Sequence, residues 1–231
     1  MANNARILRQ SLPLEHSMLQ GLPFAGFDDT ALLAFYEQQL GKVAATPFHA
    51  EALAGYWQGR ILSIASDIYG PGTHIYASCG LSDPESFAGE RDAGLGYELL
   101  VISQGPTDWA LQVIAQTLYA EVVSEAGFLE IVEAHDGMTT GGLDIGVGAP
   151  INLMITKAFA PLPRTLQSAA GPVEMLVITV ITDEEVTLSR KSGTPALLKQ
   201  LISQGVGQLS DMERVLPKRG GLSRLWSRLT G

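Results

Sequence analysis

The stretch from Val173 to Glu185, VEMLVITVITDEE, constrains this chain more than any other. It is apolar and β-branched at nearly every position instead of every second one, the pattern of a strand buried on both faces. Thr182 lies three residues before Glu185, the spacing of a capping box. There the Thr hydroxyl accepts from a first-turn amide and the Glu reaches back to the Thr N–H. A buried strand that runs without a gap into a capped helix belongs to a sheet packed against helices. The segment sets architecture and supplies no chemistry of its own.

Asp28 and Asp29 precede ALLAFYEQQL, whose Leu32, Leu33, Tyr36 and Leu40 form an apolar stripe ending at Gly41, so a capped helix is expected there. Strands are expected at 60–68, 74–81 and 94–102. In the second, HIYASCGL, Ile75, Ala77, Cys79 and Leu81 alternate with His74, Tyr76 and Ser78, which predicts one buried face and one polar or aromatic face. Thr107 is placed to cap a long helix with Leu111, Ile114, Ala115, Leu118 and Val122 on one face and a stop at Gly127.

The Gly-rich stretch 135–150 reads as an extended loop with tight turns. A strand at 151–159 is broken by Pro161 and Pro163, and a loop leads to Val173. Helices are expected at 182–191 and 194–204. Together these elements predict an α+β domain with a mixed, mainly antiparallel sheet flanked by helices. It spans 28–210, after an extension at 1–27 and before a tail at 211–231.

Charge narrows the partner. The chain carries a net charge of −9, which argues against a nucleic-acid binder, because phosphate binding needs clustered Lys and Arg. Four of the 15 basic residues and none of the 24 acidic ones fall in 217–231, so the first 216 residues carry −13. An acidic body suits a basic protein partner. A single cysteine, Cys79, fits a reducing compartment. The N-terminus lacks an apolar core of signal-peptide length, and no window approaches the roughly 20 apolar residues of a membrane span. A cytoplasmic protein is expected.

The candidate chemistry is thin. Cys79 with His74 or His135 as base is the nucleophile reading, but parity puts Cys79 on the apolar face, as a buried thiol. The four histidines (His16, His49, His74, His135) show no metal-ligand spacing, and no metal or cofactor is expected. His135-Asp136-Gly137 reads as a turn. The loop 141–150 has neither the following helix nor the basic residue of a phosphate cradle. Glu184 and Glu185 suit a helix start. Glu98, mid-strand in an apolar run, needs hydrogen-bond partners if buried, and reads as a satisfied structural carboxylate ahead of a ligand-binding one. In the tail, Leu222, Leu225, Trp226 and Leu229 sit among Arg219, Arg224 and Arg228 at helical spacing, a stripe suited to the acidic body, a partner groove or an anionic membrane.

Three segments in order resemble the suppressor-of-fused family. They are HIYASCGLSDP, with its Gly80-Leu81-Ser82-Asp83 turn; GLGYELLV followed by PTDWALQVIAQTLYAEV, with Gly96, Tyr97, Glu98 and Trp109; and VEMLVITVITDEEVTLSRKSGTPALLKQL, the strand-then-acidic-helix pattern of bacterial members. The resemblance covers about 60–201 and implies an α+β domain without enzymatic activity. Animal members bind a zinc-finger transcription factor of the Hedgehog pathway, whose peptide is taken up as an added strand. Bacterial members are similar to proposed immunity proteins that neutralise a toxin, and this chain shows no region resembling the animal C-terminal lobe. By matching position the resemblance implies partner-binding roles for Tyr76, Asp83, Tyr97, Glu98 and Trp109. The expected function is therefore a non-catalytic, cytoplasmic, immunity-type protein-binding domain, its partner a basic toxin domain or an extended peptide. The alternatives are a hydrolase using Glu98 with His74 or His135, and a membrane or scaffold adaptor acting through the Trp226 tail.

Overall fold

A computed structural model describes residues 30–89, 91–168 and 171–216. Its chain order is α1 (Thr30–Gln39), β1 (Lys42–Val43), β2 (Arg60–Ser66), β3 (Thr73–Cys79), β4 (Tyr97–Gln104), α2 (Asp108–Ser124) and α3 (Phe128–His135). Then come β5 (Met138–Leu143), β6 (Ile151–Lys157), β7 (Thr165–Ser168), β8 (Gly171–Ile181), α4 (Asp183–Ser192), α5 (Thr194–Ser203) and α6 (Met212–Val215). The strands form one sheet in the order β1-β2-β3-β4-β8-β6-β5, with β7 also paired to β8. Only β4 and β8 run parallel, in register from Tyr97↔Glu174 to Val101↔Ile178; every other pair is antiparallel.

The segment that dominated the sequence behaves as its pattern demands. From Met175 to Ile181 no side chain of β8 is more than 1 % exposed. Alternate residues feed two cores. Leu176, Ile178 and Val180 join Leu99, Val101, Leu153 and Ile155 beneath α2 and α3. Met175 and Val177 join Leu62, Ile64, Ile75, Ala77 and Leu100 beneath Tyr36 of α1 and Leu40 just after it. Each such side chain taken from water is worth about 1.5–3 kcal/mol, so the two-sided strand is the thermodynamic centre of the sheet. A third, smaller cluster sets Met154 and Ile181 against Val186, Leu197 and Leu201 of α4 and α5.

The helix starts differ from one another. At α4 both halves of the capping box form: Glu185 N donates to Thr182 Oγ1 (3.2 Å), and Thr182 N donates to Glu185 Oε2 (2.8 Å). Thr107 occupies the N-cap position of α2, but its hydroxyl makes no capping bond. The Asp28-Asp29 cap expected for α1 lies outside the described residues, as does the Trp226 stripe. The stop at Gly41 is real. Its φ is +139°, and a Cβ there would lie 2.3 Å from Ala65 O, where the chain doubles back beside β2.

Several expectations need correction. The helix read as one-faced is buried almost all round, with Leu111, Gln112, Val113, Ile114, Ala115, Gln116, Thr117 and Leu118 all in the interior. The sheet covers one side, and the flanking segments carrying Phe48, Ala50, Ile145 and Val147 cover the rest. Two of the polar residues inside find partners, Thr117 Oγ1 donating to Val113 O (2.8 Å) and Gln116 Nε2 to Asp144 O (2.9 Å), whereas Gln112 Oε1 has none among the described residues. The stretch 135–150 is not all loop, because Met138–Leu143 forms β5, with a bulge between Gly141 and Leu143. The link before Val173 holds β7, and α3 follows Gly127 directly. Packing also runs into the stretch read as tail. Met212 is buried, and Arg214 donates to Val180 O (2.9 Å) while pairing with Glu185.

If the capping box sets the start of α4, Thr182→Ala lowers unfolding free energy by about 1 kcal/mol, and Thr182→Ser restores most of it. Urea denaturation with an unchanged m-value reads this out; equal midpoints for Thr182→Ala and wild type would show the cap to be idle.

Candidate functional site

β3 ends at Cys79, and the chain turns through Gly80, whose φ of +121° favours glycine. Leu81 drops into the core, and Asp83 caps a short 3-10 turn over Pro84–Ser86, with Oδ1 accepting from Glu85 N (2.8 Å). Ser86 Oγ is bonded to Asp83 O (2.8 Å) and lies against Gly80 O. The returning chain presses on the turn: Leu95 N donates to Leu81 O (2.7 Å), and a Cβ on Gly94 would sit 2.2 Å from Ser82 C and O. Glycine is therefore required at position 94 by close approach.

Glu98 holds this turn from inside. It is wholly buried, and its carboxylate takes four bonds from neutral donors. Oε1 accepts from Gly80 N (3.1 Å), Ser82 N (3.0 Å) and Ser82 Oγ (2.7 Å), and Oε2 accepts from Ser78 Oγ (2.5 Å). Ser78 Oγ also accepts from Leu99 N (2.8 Å), and Tyr36 of α1 donates to Ser78 O (2.8 Å). No cation pairs with Glu98 among the described residues. Burial pushes its carboxyl above the ordinary carboxylate range, and the bonds from Ser78, Ser82 and Gly80 pull it partly back. The sequence reading of Glu98 as a carboxylate in need of donors is matched, but it did not name Ser78 and Ser82. Two serines flanking a tight Gly turn opposite a mid-strand Glu were the available signal.

The other residues implied by the resemblance do not join this network. Tyr76 was expected on an open aromatic face, but the structure buries it at 4 % exposure, because the start of α2 and Phe48 cover that side. Its hydroxyl accepts from Thr107 N (3.0 Å), and its ring lies 6.4 Å from Phe48 and 5.0 Å from His74. It thus fixes the N-cap residue of α2 without replacing the missing side-chain cap. β3 is paired on both sides, so no peptide strand can add beside Tyr76. Tyr97 is buried on the α2 side near Glu121, and burial together with Glu121 drives its hydroxyl well above the usual phenol range. Trp109 is half-buried at the margin of the same core. Asp83 is half-buried and Glu85 exposed, so the turn reaches solvent.

The hydrolase dyad is not assembled. Glu98 shares its parity with Leu100 on the α1 side, whereas His74 touches Tyr76 on the α2 side and bonds Ser63 Oγ (2.8 Å). His135 ends α3, which packs on β5 and β6, with β8 between those strands and β4. Cys79 is buried, as parity predicted. Among the described residues no three His, Cys, Asp or Glu side chains are placed to hold a metal ion, and no helix is long and apolar enough to cross a membrane. Two open cavities stand apart from the Glu98 network. One of about 630 Å³ lies where α3 and α5 meet the end of β6, and one of about 220 Å³ lies beside Phe87 and Glu121.

A mixed eight-stranded sheet with helices on both faces, and a glycine turn locked by a buried carboxylate, define a suppressor-of-fused-like α+β domain. The sequence model for "Suppressor of fused protein (SUFU)" matches residues 58–215, more than half of the chain, and the chain belongs to that family. No curated protein matches it. The crystal structure of Drosophila Suppressor of Fused shares the fold, with a TM-score of 0.54 and 15% identity over 86% of this chain and 51% of that one. This chain thus spans about half the length of the Drosophila protein. The Sufu-Fu complex crystal structure gives a TM-score of 0.45 and 16% identity, covering 77% of this chain and 83% of that chain.

The sign of the pH effect at Glu98 follows from its raised pKa. A carboxyl that binds its proton more tightly when folded contributes fully below the ordinary value near 4.5, and the contribution fades as pH rises through the raised value. The stability difference between wild type and Glu98→Gln is expected to shrink as pH rises from 4.5 towards 8. A difference that grows with pH would show the carboxylate bonds outweighing burial. Gly94→Ala, which must displace the Ser82 backbone, is expected to cost about 1–3 kcal/mol. Gly55→Ala, with nothing within 4 Å of the new Cβ, stays within about 0.5 kcal/mol of wild type in the same urea titration.

Proposed function

We propose that this domain is a non-catalytic protein-binding module, acting in the bacterial cytoplasm as an immunity-type protein that captures and neutralises a cognate toxin domain. Membership of the suppressor of fused family carries the reading. The geometry supports it in two ways. The Asp83 turn is pinned by Glu98, Ser86 and Gly94, so it offers a partner a preformed surface with little ordering entropy left to lose. The net charge of −9 favours a cationic partner, such as a nuclease domain with its own phosphate-binding face, and disfavours nucleic acid itself.

Of the residues implied by the resemblance, Asp83 and Trp109 reach solvent and are the direct contacts in this reading. Tyr76 and Glu98 act from within, by holding the start of α2 and the turn, and Tyr97 packs beside Glu121 towards the end of α2. An extended peptide from the partner would add at the outer edge of β5, which no strand pairs among the described residues.

Affinity capture from the source cells, with wild type and an Asp83→Asn/Glu85→Lys variant in parallel, tests the proposal. Asn keeps the acceptor for Glu85 N, so the change removes charge and spares the cap. The expected result is one stoichiometric basic partner, toxic alone, silenced by wild type, and retained at least about ten-fold less by the variant, since close charge pairs at interfaces are worth more than 1.4 kcal/mol. An acidic partner, or one held equally by both proteins, would count against the proposal.

A further inference from the structure

The larger cavity lies away from the Asp83 turn, and its lining has a definite polarity. Its apolar part comes from Phe159 and from Leu198 and Ile202, one turn apart on α5. Ile202 is 50 % exposed, one of two large apolar side chains so placed among the described residues. The charges around it are not equally available. Lys157 is 20 % exposed and already bonded to Glu133 (2.9 Å) and Glu174 (3.5 Å). Arg164 is 66 % exposed and meets Glu174 only through Nε, at 3.7 Å. Its two terminal nitrogens make no bond among the described residues, leaving the guanidinium fork open to a carboxylate. On the α3 side, Glu133 and Asp136 would repel a carboxylate and attract a cation.

We propose that this cleft docks an amphipathic segment of a partner protein, seating an apolar side chain on Leu198, Ile202 and Phe159 while Arg164 grips an acidic residue at one end. The opposite charges at the two ends of the cleft set the direction of the segment, carboxylate towards Arg164 and any basic residue towards Glu133 and Asp136. The volume, about 630 Å³, suits a few residues and not a folded surface. The proposal rests on the protein-binding reading and deepens it by adding a second contact that the family motifs do not mark.

A random peptide library displayed on phage is panned against the full chain, and the best peptide is titrated by fluorescence polarisation. The expected consensus is an apolar residue with Asp or Glu at one side. Arg164→Glu and Ile202→Asp, both at exposed positions, should each weaken the peptide at least ten-fold while leaving the melting temperature within a few degrees. Replacing the peptide's carboxylate by Lys should restore binding to Arg164→Glu and not to wild type. Peptides bound equally by both variants, or a library that yields no binder, would overturn the cleft assignment. The capture experiment with Asp83→Asn/Glu85→Lys reads the broader proposal independently, so the two can fail separately.

Discussion

The parallel pairing of β4 with β8 is the constraint from which the rest of the architecture follows. Parallel neighbours cannot be joined by a hairpin, so the chain leaves Gln104 and returns at Gly171 by a long crossover. That crossover holds α2, α3, β5, β6 and β7, and it buries the α2 side of the sheet. The opposite side is closed by α1 from before the pair and by α4 and α5 from after it. Both strands are thereby enclosed on two faces, which is why neither tolerates the polar-apolar alternation of an exposed sheet. β6 and β7 share the outer edge of β8 between them, β6 along Leu176–Ile181 and β7 along Gly171–Glu174.

Glu98 sits at the start of that parallel pair, opposite Met175, and this position explains its unusual setting. Removing a carboxylate from water costs several kcal/mol, and here no cation offsets it among the described residues. Four neutral donors do so instead, three of them from the Gly80–Ser82 turn and one from Ser78. The arrangement is reciprocal. The turn satisfies the carboxylate, and the carboxylate holds the Gly80–Ser82 turn in place from inside. Tyr36 ties α1 into the same site through Ser78 O, so helix docking and turn geometry are coupled.

How much of this was legible depended on whether the signal was local. The β8–α4 junction was readable because two-sided burial and the Thr182–Glu185 spacing are both written in consecutive residues. Cys79 was placed by parity alone. The failures share one cause. Tyr76 and the outer side of α2 were read as open because their own segments look amphipathic, yet what covers them comes from residues near 48 and 145, distant in sequence. β5 was missed because MTTGGL is polar and glycine-rich, and its pairing depends on β6 and not on its own propensity. For Glu98 the need for donors was legible, whereas their identity required the register of the β3 turn.

The residues that make the family recognisable overlap only in part with those that reach solvent. Gly80, Leu81, Tyr97 and Glu98 are interior or backbone-determined, and the turn and the β4–β8 pair require them. Substituting them would disturb the turn and the β4–β8 pair before it altered any exposed surface. In the protein-binding reading proposed above, the side chains left to choose a partner are Asp83 and Glu85 at the turn, Trp109 at the helix start, and Arg164 with Ile202 at the cleft. Trp109 packs in part on the core and Asp83 caps the 3-10 turn, whereas Glu85, Arg164 and Ile202 are exposed and can change without disturbing the scaffold. Under the proposed protein-binding reading, that separation would let the contact chemistry change while the scaffold stays. The motif residues therefore announce the fold mainly through its interior, while Glu85, Arg164 and Ile202, which the motifs do not mark, are the exposed positions where the proposed contact chemistry is free to vary.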